Sequence, residues 1–156
     1  MSTKKKGLGA LAVKGLAAAA GYTALNGGAM WLRYHKVMEK MKCHPEEKKQ
    51  MHSTLFGKLT VYYGQDTQYG YFTCLNGAMT IILKEQPVNS VIDLDLLSAF
   101  GKVTLILPPG AKIEYSGCGC LEIISDCRAE EIEENFFTVR LHRRNFASKL
   151  VIKGQA

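Results

Sequence analysis

The sequence predicts an all-β body, a layered coil or solenoid-like β sandwich of short strands, preceded by an N-terminal α-helical segment. Three observations carry that expectation. The stretch "FGKLTVYYG" from Phe56 is echoed 44 residues later by "FGKVTLILPPG" from Phe100. A small residue followed by x-apolar-x-apolar recurs at Gly57, Gly77, Gly101, Gly119 and Ser148, with starts 20, 24, 18 and 29 residues apart. Such spacing is too regular for coincidence and too loose for a strict solenoid repeat. From Leu55 onward the apolar period also changes from helical to two, the period of a strand with one buried face.

The first fifty residues differ from the rest. Ten Lys and Arg stand there against Glu39, Glu46 and Glu47, a balance of 10 − 3 = +7, whereas residues 51–156 hold ten against eleven acids, a balance of −1. The segment 1–50 is therefore read as a basic helical or anchor region with a linker, and 51–156 as the β-repeat domain. A neutral body argues against a nucleic-acid-binding domain, which needs a basic face. After Lys4, Lys5 and Lys6, Gly15 to Leu32 runs 18 residues without a charge. That is about the shortest span that crosses a bilayer, but its glycines, Thr23 and Asn26 make it weakly lipophilic. It reads as a short membrane anchor, as a helix lying on a membrane surface or packing on a protein, or as disorder. The three lysines add attraction to an anionic membrane surface. Trp31, Tyr34, Met38 and Met41 share one helical face, with Arg33, Lys36 and Lys40 on the other. Pro45 ends the helix, and "PEEKKQ" reads as the linker. No secretion signal is evident, since Lys14 interrupts the apolar stretch. The expected location is the cytoplasm or the cytoplasmic face of a membrane.

In the body, alternation places Leu59, Met79, Val103, Leu121 and Leu150 on one face, with Val61, Ile81, Leu105, Ile123 and Ile152 beside them. Thr60, Thr80 and Thr104 fall on the opposite face. The glycine before each strand is read as the residue that permits a tight turn. Further strands are expected at 69–75, 90–97, 112–117 and 137–144, giving nine or so in layered hairpins or coils. A turn is expected at "LPPG" and a short helical turn at "RAEEIEEN" (128–135).

The repeat is architectural and brings no catalytic group. Asp93 and Asp95 share a strand face but read as solvated outer positions. Cys43, Cys74, Cys118, Cys120 and Cys127 are odd in number and lack zinc-type spacing, so free thiols are expected. Cys118-Gly-Cys120 reads as a turn with one thiol buried and one exposed, rather than as a redox pair or half of a metal site. No phosphate-cradling loop opens a helix. No catalytic, cofactor or metal residue is assigned, and neither an enzyme nor a small-molecule substrate is expected. Around Phe136-Phe137, Glu130, Glu131, Glu133 and Glu134 face a run holding Arg140, His142, Arg143 and Arg144. This is either a solvated loop beside a charged edge strand or a pair of complementary interaction patches.

The stretch "FGKLTVYYG…LNGAMTIIL…VIDLDLLSAFGKVTLILPPGAKIEYSG", best from Phe100 to Ile113, resembles the C-terminal domain of LiaF-type proteins, the cell-wall-active antibiotics response family. "FASKLVIKG" (146–154) stands where the family's last strand is expected, and the resemblance covers about residues 52–154. It implies a coiled β domain without catalysis, serving regulation or assembly at the bacterial envelope. The chain departs from that pattern in lacking several membrane spans before the domain. The function expected is a membrane- or partner-associated regulator or scaffold. The alternative is a structural protein that self-assembles into homo-oligomers or filaments through its β edges.

Overall fold

A computed structural model describes residues 5–43, 48–65, 67–128 and 136–155, with helix side chains described from 18 to 42. The chain divides into two compact units, Met1–Lys36 and Val37–Ala156. The first holds most of helix α1 (Lys5–Cys43). Alanine-rich sequence without a β-branched run favours this helix, and Lys40 and Lys42 in its last turn suit the negative end of the helix dipole. Among the described residues, no helix is long and apolar enough to cross a membrane, so the sequence's first reading of Gly15 to Leu32, as a spanning anchor, is not supported.

The second unit contains the last turns of α1 and ten described strands: β1 (Lys49–Thr54), β2 (Gly57–Tyr63), β3 (Tyr69–Leu75), β4 (Gly77–Leu83), β5 (Val91–Ala99), β6 (Lys102–Leu107), β7 (Ala111–Cys120), β8 (Ile123–Asp126), β9 (Phe137–Phe146) and β10 (Lys149–Gly154). Strand β1 begins inside the expected linker. The body is thus β-layered behind an N-terminal helix, as expected. The chain changes sheet with every strand. Odd strands form one five-stranded sheet, β1-β3-β5-β9-β7, and even strands the other, β2-β4-β6-β10-β8. The ladders of both sheets are parallel throughout, which replaces the layered hairpins among the sequence's alternatives, because hairpin neighbours are antiparallel.

Each odd–even strand pair is one layer of the stack, but the layers do not stack in chain order. The last pair, β9–β10, lies between β5–β6 and β7–β8, so β7–β8 ends the stack. The core fills the space between the sheets. Met79, Val103 and Leu150 occupy one register row with half-buried Leu59, and Val61, Ile81, Leu105 and Ile152 the next. These are eight of the ten side chains assigned to the apolar wall.

The fourth repeat is corrected. Lys149 pairs with Ile123, so Glu122 rather than Gly119 stands opposite Ser148. Leu121 therefore sits in the corner at φ 54, 76% exposed, and Ile123 points outward. The corners show why. Asn76, Phe100, Leu121 and Ala147, each between the two strands of a pair, all have positive φ. The bend is made there, and at Gly57 (φ 92), not at Gly77 or Gly101. Those two glycines serve close approach instead. A Cβ on Gly77 would lie 2.7 Å from the carbonyl oxygen of Gly57, and one on Gly101 the same distance from that of Gly77.

Candidate functional site

Two surfaces stand out on the β unit: the outer face of the odd-numbered sheet and the open β7–β8 end. In a parallel sheet every second residue of each strand faces outward, and register decides which side chains become neighbours. On the outer face, Asp93 of β5, Arg140 of β9 and Glu114 of β7 form one row. Asp95, His142 and Ser116 form the next. Arg144 and Cys118 continue it one step further.

The side chains then pair across and between rows. Arg140 Nε lies 3.5 Å from Glu114. Arg144 donates to both oxygens of Asp95 at 3.1 and 3.3 Å, and Lys40 from the end of α1 approaches the same carboxylate at 3.9 Å. With Asp95 engaged, His142 reaches diagonally to Asp93, its Nε2 lying 3.2 Å from Oδ1. Its Nδ1 meets the hydroxyl of Ser116. Ser116, His142 and Asp93 thus form a continuous hydrogen-bonded line across three neighbouring strands. They line a cleft of about 570 Å³ together with Lys40, Tyr69, Tyr71, Asp95 and Arg144. Asp93 and Asp95 are on the outer face as expected, but both are half-buried and partnered rather than freely solvated, Asp93 by the His142 imidazole and Asp95 by Arg144.

The arginines assigned to an interaction patch, Arg140, Arg143 and Arg144, are engaged within the chain. Arg143 bonds Glu122, which also accepts from Asn145 at 2.8 Å. Burial alone would push the Glu122 carboxyl up; the hydrogen bonds from Arg143 and Asn145 and the Arg143 charge outweigh it and hold the group below its ordinary value. Glu130, Glu131, Glu133 and Glu134, and the short helical turn expected across them, lie outside the described residues, as does Lys4. Lys5 and Lys6 fall in the first turn of α1. On the helix stripe, Trp31 and Tyr34 are exposed and Met38 and Met41 half-buried, while Val37 is buried in the β unit.

The open end is visible by comparing equivalent positions. Tyr115 of β7 occupies the row of Leu141 and Leu94, and Ile124 of β8 the row of Leu150 and Val103. The four inner side chains are at most 2% exposed, whereas Tyr115 is 44% and Ile124 40% exposed. The hydroxyl of Tyr115 donates to Asp126 at 3.3 Å, bridging the two sheets at this end. Cys118 and Cys120 lie on β7 with both thiols exposed, which corrects the turn with one buried thiol. Cys74 is free and buried, and Cys127 free and exposed.

Sequence reasoning missed Ser116 and the partnership of His142 with Asp93, which are 26 and 49 residues from His142 in the chain. The available signal was strand phase: Ser116 and His142 each sit at an outward position of their strand. Among the described residues, no group of three or more His, Cys, Asp or Glu is placed to hold a metal ion. Compared with protein-family models, curated proteins and solved structures, the chain matches none.

Proposed function

We propose that this chain is an interaction scaffold: a solenoid-like β coil that self-associates through its open β7–β8 end, with a second copy of the chain as the occupant. The observation that carries this reading is the exposure of Tyr115 and Ile124 at positions that are sealed in every inner layer. Strand β7 also ends its sheet, so among the described residues one row of its backbone donors and acceptors has no ladder partner. Such an edge is a template for another strand.

The choice of occupant rests on an asymmetry. At the other end of the stack, β1 and β2 also end their sheets. There Leu59, in the row of Ile124, is half-buried, the next core-facing residues of β2, Val61 and Tyr63, are buried, and Gln50 of β1 is hydrogen-bonded to Thr67 at 3.1 Å. With the two ends unlike, association pairs like with like. That gives a closed two-fold dimer rather than a filament. Each open end meets a surface of the same shape and apolarity, bringing Leu121, Ile124 and Tyr115 of both copies out of water.

The LiaF resemblance supports the same reading of the β body, and with it a regulator or scaffold role near the bacterial envelope. Exposed Trp31, Leu32 and Tyr34 on α1 suit contact with a partner or with an anionic membrane surface. Size-exclusion chromatography with light scattering on the full chain tests the central part. A mass of twice the 17.2 kDa chain is expected, reverting to monomer in Ile124→Lys. Monomer at every concentration would overturn the proposal.

A further inference from the structure

We propose that the cleft on the outer face of the odd-numbered sheet is an acyl-transfer site, with Ser116 as nucleophile, His142 as its general base and Asp93 as the carboxylate that orients the imidazole. This goes beyond the scaffold reading and does not depend on it; the two share strand β7, with Ser116 on its outward face and Tyr115 in the core row.

The arrangement meets the geometric requirements of such a site. The nucleophile and base are in hydrogen-bond contact, Ser116 hydroxyl to His142 Nδ1, and the base is held from behind by a carboxylate 3.2 Å from Nε2. Asp93 accepts from Nε2–H, which places the imidazole proton on that nitrogen and leaves Nδ1 free to accept the serine proton. The neighbouring carboxylate does not compete, because Arg144 and Lys40 occupy Asp95. Gly117 follows the serine at φ +96, a conformation costly for any side-chain-bearing residue. The three groups open into the solvent-facing cleft of about 570 Å³, a volume in the range of small-ligand sites. Lys40 and Arg144, both paired with Asp95, line the same cleft. Tyr69 and Tyr71 offer an aromatic wall for an apolar acyl group. The substrate class is therefore a small carboxylic ester.

The step balances without a co-reactant beyond water. Ser116 Oγ bonds to the carbonyl carbon as its proton passes to His142 Nδ1. The bond to the leaving alcohol breaks, and the alcohol takes that proton. Water then adds to the acyl-serine by the same route, releasing the carboxylic acid and restoring the hydroxyl.

Full-length protein treated with a fluorophosphonate probe tests this by intact mass and peptide mapping. One adduct is expected, on Ser116. It should vanish in Ser116→Ala, and its formation rate should fall by a factor on the order of 10² or more in His142→Ala, the usual contribution of a positioned base. Glu114→Gln, which changes a neighbouring outward residue outside the line, should label at the wild-type rate. Circular dichroism of each variant establishes that the β body is intact. Absence of an adduct on wild-type protein, an adduct that persists in Ser116→Ala, or undiminished labelling of a folded His142→Ala would each overturn the proposal.

Discussion

Gly77 and Gly101 set how closely successive layers approach at the corner of the stack. Their repetition was plain in the sequence, and the reason inferred for it was a turn. The turn belongs instead to the residue before, Asn76 or Phe100, which takes the positive φ. Close approach is a property of two layers at once, so a local reading of Phe-Gly-Lys has no access to it. The consequence is testable at a single side chain. In Gly101→Ala the new methyl would meet the Gly77 carbonyl oxygen at 2.7 Å and the Cys74 sulfur at 3.2 Å. Backbone cannot swing aside as the end of a flexible side chain can. A loss of about 1–3 kcal/mol is expected, the usual cost of overpacking a filled site, read from the urea unfolding midpoint. An unchanged midpoint would mean that the layers separate easily there.

Among the elements, β5 was legible because its alternation is uninterrupted, β2, β4, β6 and β10 because the repeat marks their starts, and β3 and β9 as the stretches that lie between repeats. Strand β8 was misplaced by its apparent repeat at Gly119. There Glu122 takes the corner position and bonds Asn145 and Arg143, contacts that arise only once β9 is inserted beside β7. Strand order and direction were not legible either, because pairing between strands tens of residues apart leaves no local trace. The Glu122 clamp joins the β7–β8 corner to β9 and makes a pH-dependent contribution. Its folded-state pKa is depressed, so its stabilisation is present above the ordinary carboxylate value and is lost as pH falls through and below about 4. Asp126, held below its ordinary value by the Arg128 hydrogen bond against the opposing effect of burial, adds in the same direction. Glu122→Gln should therefore be less stable than the parent at pH 7, with the gap narrowing at pH 3. A gap that is constant between those two pH values would show that the Glu122 charge contributes nothing to the fold.

For the whole molecule, an N-terminal helix followed by a β body was legible in the change of period. That the C-terminal strands occupy the interior of the stack, leaving β7–β8 at its end, was not, since the order of layers leaves no mark in the repeat. This displaced ending leaves Tyr115 and Ile124 exposed at the end of the stack, and it also brings Ser116 beside His142. The measurement that tests the scaffold account most directly is hydrogen–deuterium exchange of the full chain across a range of protein concentrations. The account expects backbone amides in β7 and β8 to gain protection as concentration rises, with β4 and β6 unchanged because they are already enclosed. Protection in β7 and β8 that stays low and independent of concentration would contradict it.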